Sequence, residues 1–374
     1  MIKYSYNDIM IKPATISEVS SRSECNPYID GRLPLFTAPM DTVVGTENLR
    51  LYEENKITPI VPRTVDWQKR ISLARKGYWI AVSLSEFEER YVTKKVGSKD
   101  NVLIDIANGH MLKLYDMVKS AKNTNPGITV MVGNIANPDT YRWIVQNCKT
   151  IHGGCCLIDY VRLGIGAGQG CITSSNTGIH YPMASLIEET AQIRQQLLSE
   201  KIEGSNWSKY NNLPKIVADG GVRGYSDVIK ALALGADYVM IGSIFSKMLE
   251  SSGELEYKLV LDNVDGNYYP CDKSSVQYSN RKFYINFDNE LGEVRLRKKF
   301  YGMASKDSKL KGGKENTAEG ISMYLPVEYT MASWTKNMAD YIRSAMSYVG
   351  VRILSEFHPN TVICSYNAVG GINK

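Results

Sequence analysis

The chain of 374 residues has no apolar run approaching the ~18–20 residues that a membrane-crossing helix needs. Its opening, MIKYSYNDIMIKP, alternates polar and apolar residues and lacks the apolar block of a secretory leader. Proline is sparse, at 13, while 43% of the residues are apolar and 22% charged, which excludes collagen-like and disordered chains and leaves enough apolar surface for a sizeable core. Only four histidines occur, far apart, and no two cysteines are spaced C-x-x-C, so a structural zinc site has little basis. The seven cysteines (25, 148, 155, 156, 171, 271 and 364) are odd in number and scattered, which argues against a disulfide framework and for a reducing compartment. The expectation is a soluble, cytoplasmic protein with no membrane partner. Forty-four basic against 39 acidic residues leave a mild +5. The densest basic patch, Arg295-Leu296-Arg297-Lys298-Lys299, sits in a mixed segment and reads as a solvated face rather than a nucleic-acid contact.

What is present is a rhythm. Short apolar runs at Leu33–Ala38, Ile57–Val61, Trp79–Val82, Val102–Ile106, Ile128–Val132, Tyr160–Ile165, Ile216–Ala218 and Tyr238–Ile241 alternate with helix-like stretches. Most are apolar on both faces, as a parallel sheet covered within and without requires. Eight such strands over about 240 residues predict an α/β fold, a (β/α)8 TIM barrel, with a doubly wound open sheet as the alternative. No internal repeat or low-complexity linker divides the chain, so residues 1–374 read as one barrel domain. An inserted region at 251–320 follows the eighth strand: polar, Tyr-rich hairpin sequence to about Lys299, then a Gly/Lys/Ser-rich flap from Gly302 to Gly320. Beyond it, Met338, Tyr341, Ile342, Ala345, Met346 and Val349 form one apolar helical stripe for core packing.

The strongest local feature is VRLGIGAGQGCIT, Val161 to Thr173, where an apolar strand runs into Gly164, Gly166, Gly168 and Gly170 and then Cys171. Glycines at alternate positions let the backbone turn tightly and offer its carbonyls or amides to a ligand or ion. G-x-G-x-x-G would need glycine where Gln169, Cys171 or Thr173 stands, so this is no dinucleotide fingerprint. A cysteine at the C-terminal end of a barrel strand is placed to act as a nucleophile; a glycine turn with an incidental thiol fits the spacing equally. VADGG, Val217 to Gly221, ends a strand with a carboxylate, Asp219, that can bridge two ribose hydroxyls. GADYVMIGS, Gly235 to Ser243, ends at a helix start whose free amides and dipole attract phosphate. Both fall after the seventh and eighth strands, where barrels often bind phosphate. Together with the cysteine loop they suggest a nucleotide lying across the barrel mouth.

YNDIMIKP (Tyr6 to Pro13), SRSE (Ser21 to Glu24), PMDTV (Pro39 to Val43), DIANG (Asp105 to Gly109), GNIANP (Gly133 to Pro138), the Cys171 loop, the ADGG and IGS turns and YGMAS (Tyr301 to Ser305) follow one another in order. In this set the chain resembles the inosine-5′-monophosphate dehydrogenase and guanosine-5′-monophosphate reductase superfamily nearly from end to end. The resemblance implies a covalent mechanism in which Cys171 attacks C2 of a purine nucleoside monophosphate, with Thr173 and Glu319 assisting the leaving group. It implies substrate contacts from Asp219, Gly220, Gly221, Gly242, Ser243, Gly302, Met303, Ser305 and Gly320. Asp105, Ile106, Ala107 and Arg63 would face the nicotinamide cofactor, and carbonyls of Gly166, Gly168 and Cys171 would hold K+. Relatives of this kind are usually homotetramers.

Three features favour the reductase branch, one being Ala107-Asn108-Gly109, which resembles the reductase pattern where the dehydrogenases tend to have His or Gln in place of the Asn. The dehydrogenases that this chain resembles usually insert nucleotide-sensing domains between strands two and three, where only the short stretch Arg63 to Tyr78 stands here. Their flap carries an Arg-Tyr pair that activates water, and Gly302 to Glu319 contains neither residue. The implied activity is NADPH-dependent reductive deamination of GMP to IMP and ammonia. A dehydrogenase without sensing domains, oxidising IMP with NAD, and a catalytically silent nucleotide-binding homologue are the alternatives. The sequence departs from the family pattern at Gln169 (usually Ser), Ser174 (usually Arg) and Pro62-Arg63 (usually His-Lys). Asp41 and Thr42 read as strand-end turn residues, Cys155 and Cys156 as buried packing, and His110 as a surface residue or one behind the site.

Overall fold

The computed structural model describes residues 2–149, 156–200, 209–210, 212–260, 267–287, 290–302 and 320–365. Strand β1 (Ile9–Lys12) precedes eight strands, β2 (Leu35–Thr37), β3 (Ile60–Val61), β4 (Trp79–Val82), β5 (Asn101–Ile104), β6 (Thr129–Ile135), β7 (Tyr160–Leu163), β8 (Lys215–Asp219) and β9 (Tyr238–Ile241). All eight expected runs form strands, and they pair in parallel in the order β2-β9-β8-β7-β6-β5-β4-β3. The ends meet through a parallel bridge between Phe36 and Thr58, where Thr58 N donates to Leu35 O (3.0 Å) and Ile60 N to Thr37 Oγ1 (2.8 Å). The fold is a (β/α)8 TIM barrel.

The two-residue strand period divides the apolar side chains between two layers. Ile80, Val82, Val102, Ile104, Val130, Val132, Val161, Leu163, Ile216 and Ala218 belong to the large core shared with the surrounding helices. Phe36, Ile60, Trp79, Ala81, Leu103, Met131, Val217 and Met240 form a separate inner cluster, against which Tyr160 and Tyr238 pack. Edge-to-face contacts such as Trp79 with Tyr160 (centroids 5.2 Å apart) fill its lower end. The barrel interior is therefore closed below and open only above.

Helices follow the strands, and some of them start on side-chain caps: Asn137 accepts from Asp139 N ahead of Pro138–Asn147, and Thr330 from Ser333 N ahead of Met331–Val349. In the latter helix most of the expected stripe is buried, but Tyr341 is 49% exposed, its ring resting on Tyr225 at its rim. Among the described residues no helix is long and apolar enough to cross a membrane.

The region after β9 is a sheet rather than loose hairpins. Strands β10 (Leu255–Leu259), β11 (Tyr269–Pro270), β12 (Val276–Ser279), β13 (Lys282–Phe287) and β14 (Glu290–Tyr301) pair in the order β11-β10-β14-β13-β12, and β15 (Ser322–Pro326) joins the far half of β14. It has its own core of Leu249, Leu255, Phe283, Ile285, Val294, Leu296 and Val327. A final strand, β16 (Val362–Ser365), pairs antiparallel with β1. Alternation along β14 corrects the reading of its basic patch as a solvated face. Arg295 points outward, while Lys298 faces inward beside Leu296 and is fully buried. Its ammonium donates to Met248 O (2.9 Å), Leu249 O (2.7 Å) and Ser251 O (2.7 Å), with Ser251 Oγ at 2.8 Å. Cys156 is only partly buried, and burial and its surroundings push its thiol up to about 12; Cys155 lies outside the described residues.

Candidate functional site

A cavity of about 1360 Å³ occupies the C-terminal mouth of the barrel. Its walls are the segments that leave the strands, together with Phe300, Gly302 and Gly320 from the excursion. Of the residues expected from the sequence, Arg63, Asp105, Ile106, Ala107, Gly166, Gly168, Cys171, Thr173, Asp219, Gly220, Gly221, Gly242, Ser243, Gly302 and Gly320 all line it. Met303, Ser305 and Glu319 lie outside the described residues.

Cys171 is partly exposed at the wall, and its thiol donates to Thr173 Oγ1 at 3.2 Å. The loop reaches this position because glycine lets it: at Gly164 (φ +119°) a Cβ would stand 2.2 Å from Asp219 O, and at Gly220 (φ +97°) one would stand 2.9 Å from Ala167 Cβ. The β7 and β8 turns thus interlock, and Gly221 N donates to Ala167 O at 2.9 Å. From the other side the excursion clamps the loop. Ile321 N donates to Gly170 O (3.0 Å), Cys171 forms an antiparallel bridge with Gly320, and the Phe300 ring covers Gly170.

Asp219 ends β8 with its carboxylate at the cavity. Asn134 Nδ2 donates to Asp219 Oδ2 at 2.8 Å and to Gly164 O at 2.6 Å. Burial pushes the Asp219 carboxyl above the ordinary aspartate range; Arg162 and the Asn134 hydrogen bond oppose that rise, and Asp105 adds to it. Arg162 was not singled out from the sequence, and neither was Asn134 as more than a landmark. On β7 the alternation that sends Val161 and Leu163 outward turns Tyr160 and Arg162 inward, so the guanidinium rises inside the barrel, only 4% exposed. Its Nη2 donates to Asp105 Oδ1 at 3.0 Å and its Nε lies 3.6 Å from Asp219 Oδ2. The signal available was an arginine at an inward position of an otherwise apolar run. Arg63 Nη1 donates to Asp105 O at 2.9 Å, so the loop after β5 is held from two sides by cations.

At the far wall, Gly242 and Ser243 follow β9 as expected, but the helix there, Ser243–Ser246, is only four residues long. The expected dipole contribution is correspondingly small, and what remains for an anion is the turn's free amides. Asp41 accepts from Tyr301 Oη (3.0 Å), tying the end of β2 to the end of β14, and Thr42 is buried. His110 is exposed; its Nε2 accepts from Ala136 N (3.1 Å) and its Nδ1 lies 3.0 Å from Thr140 Oγ1.

The arrangement offers a thiol with a hydroxyl partner, a carboxylate able to accept from a diol, and two glycine turns for an anion, all in one cavity large enough for two ligands. The family model for the IMP dehydrogenase / GMP reductase domain matches residues 75–269. Curated relatives include the GMP reductase of an Exiguobacterium species, 26% identical over 93% of this chain and 91% of that protein. The GMP reductase of Clostridium acetobutylicum is 26% identical over 98% of this chain and 97% of its own, and that of Shouchella clausii 27% over 93% and 90%. With the barrel, the cysteine loop and the strand-end carboxylate in place, the chain belongs to the IMP dehydrogenase / GMP reductase family, as a divergent member.

Proposed function

We propose that this protein reduces GMP to IMP with NADPH, releasing ammonia, through a covalent bond between Cys171 and C2 of the purine. The observation that carries this reading is the Cys171–Thr173 pair facing the same cavity as Asp219 and the Gly242-Ser243 turn. The reductase branch is supported by the short β3–β4 connection, by the lack of Arg and Tyr from Gly302 to Glu319, and by the names of the relatives.

Asp219 accepts from the ribose hydroxyls, and Gly220, Gly242 and Ser243 hold the phosphate through backbone amides and the serine hydroxyl, with Gly221, whose own amide is bound to Ala167 O, leaving room beside them. Gly302, Met303, Ser305 and Gly320 frame the base. The Cys171 thiolate adds to C2, and Thr173 with Glu319 delivers a proton to the 2-amino group, so that ammonia departs rather than an amide anion and a thioimidate remains. NADPH, when bound against Asp105, Ile106, Ala107 and Arg63, supplies the hydride that C2 accepts. Expulsion of the thiolate then gives IMP, so that GMP, NADPH and two protons become IMP, NADP+ and ammonium. The excursion and the barrel act as one domain, because Phe300, Gly302 and Gly320 complete the cavity wall. The working form is a cytoplasmic homotetramer. The carbonyls of Gly166 and Gly168, expected at a K+ site, each accept a hydrogen bond from the chain itself, from Ser174 Oγ and from Cys171 N.

Incubation of the purified protein with GMP and NADPH is expected to release ammonia in step with loss of the cofactor's near-ultraviolet absorbance. Oxidation of IMP with NAD would replace this reading with the dehydrogenase. Absence of both reactions, with no Cys171–nucleotide adduct in the mass spectrum, would leave a silent nucleotide-binding homologue.

A further inference from the structure

In the loop between β7 and Thr173 the carbonyls of Gly164 to Gly168 and of Gly170 accept hydrogen bonds from the chain itself. Gly164 O accepts from Asn134 Nδ2 (2.6 Å), Ile165 O from His180 Nδ1 (2.9 Å) and Gly166 O from Ser174 Oγ (3.0 Å). Ala167 O accepts from Gly221 N (2.9 Å), Gly168 O from Cys171 N (3.0 Å) and Gly170 O from Ile321 N (3.0 Å). A carbonyl can only accept, so His180 carries its proton on Nδ1. A monovalent cation held by backbone dipoles needs several carbonyls turned together toward one point in place of its water shell. Here Gly164, Ile165, Gly166, Ala167 and Gly170 give their carbonyls to donors from outside the loop, and Gly168 O accepts from Cys171 N within it.

Ser174 makes the decisive contact. A Cβ built on Gly166 (φ +71°) would lie 2.6 Å from Ser174 Cβ and 2.9 Å from Ser174 N, so the serine backbone sits directly against the glycine. Any residue at 174 would bring its backbone and Cβ to this place; what serine adds is a short hydroxyl that donates to Gly166 O at 3.0 Å. The serine hydroxyl reaches back to Gly166 O across the turn that carries Cys171, and the short helix Thr173–Thr177 holds it there.

We propose that this chain orders its Cys171 loop with its own donors in place of a monovalent cation, Ser174 being the positioning residue that takes the cation's part at Gly166. The inference rests on the reading of Cys171 as the nucleophile. It makes the reaction independent of K+, since an ion that does not bind the native loop cannot shift its order.

Two measurements on the full chain test it. The first is turnover of GMP and NADPH in K+, Na+ and tetramethylammonium chloride at fixed ionic strength, for the wild type, Ser174→Ala and Ser174→Thr. The second is the iodoacetamide alkylation rate of Cys171, read by peptide mass spectrometry in the same salts, which works even if the chain does not turn over GMP. For the wild type both rates should change by less than about twofold between cations. Ser174→Ala should lower kcat about tenfold or more with little change in nucleotide KM, because the thiol is misplaced rather than the substrate released. It should also alter the alkylation rate, and Ser174→Thr, which keeps the hydroxyl, should restore most of both. A severalfold K+ effect on wild-type alkylation or turnover overturns the proposal. So does a Ser174→Ala protein with unchanged kcat and alkylation rate. Failure of turnover with a cation-independent, Ser174-dependent alkylation rate sinks the reductase reading alone.

Discussion

Arg162 and Asp105 meet across 57 residues of chain, Nη2 to Oδ1 at 3.0 Å, inside the upper layer of the barrel. The pair stands beside Asp219, so one guanidinium joins the loop after β5 to the end of β8. Removing the cation leaves two nearby carboxylates in a mostly closed interior, which is the costly way to break a buried pair. Arg162→Met is expected to destabilise the fold by about 3 kcal/mol, measured by urea unfolding. It should also move the acid limb of nucleotide binding. Asp219 must be ionised to accept from ribose hydroxyls, so binding is lost as pH falls through its raised pKa. Without the arginine that opposes the rise, that loss should begin at higher pH, as read from nucleotide Kd against pH.

Cys171→Ser keeps the size of the side chain and its reach to Thr173 but replaces the soft nucleophile. Turnover should fall by about 10³-fold or more while nucleotide Kd changes little, as followed by ammonia release and calorimetry. Equal loss of binding and turnover would mean that the cysteine serves the loop's shape rather than the chemistry.

Lys298→Met should cost about 3 kcal/mol or more, since it strips donors from three buried carbonyls at 248, 249 and 251. β14 carries Phe300 and Gly302 to the cavity, so the variant should also raise nucleotide KM below its melting temperature. Thermal unfolding and steady-state kinetics measure the two effects. A variant as stable as the wild type would show that other donors replace the ammonium.

His110 accepts from Ala136 N in its neutral form, and desolvation holds its pKa below the ordinary histidine range. As pH falls, the unfolded chain therefore takes up this proton before the folded one, and folding stability declines. The Tm of the wild type should drop more between pH 7 and 5 than that of His110→Gln. Parallel Tm curves for the two proteins would remove His110 as a source of acid sensitivity.

Much of this architecture was legible in the sequence because it depends on local order. Apolar runs with no polar face, spaced by helical segments, leave a covered parallel sheet as the economical solution, and all eight became barrel strands. The glycines around Cys171 and after Asp219 likewise advertised tight turns. Arg162 was overlooked for the opposite reason. A lone arginine in an apolar run has no local partner, and its two carboxylates arrive from β5 and β8. Lys298 was misread in the same way: a run of basic residues suggests a wet surface until strand alternation turns one of them inward.

The sequence by itself determined that eight strands form and in what order, which turns need glycine, and which thiol stands in the loop after a strand, because each follows from the steric and solvation preferences of neighbouring residues. Tertiary structure alone decided that the sheet closes at Phe36 and Thr58, that Asp105, Arg162 and Asp219 share one interior layer, and that Ser174 rests on Gly166. Those contacts depend on strand register and barrel curvature, which bring together atoms that no short window of sequence contains.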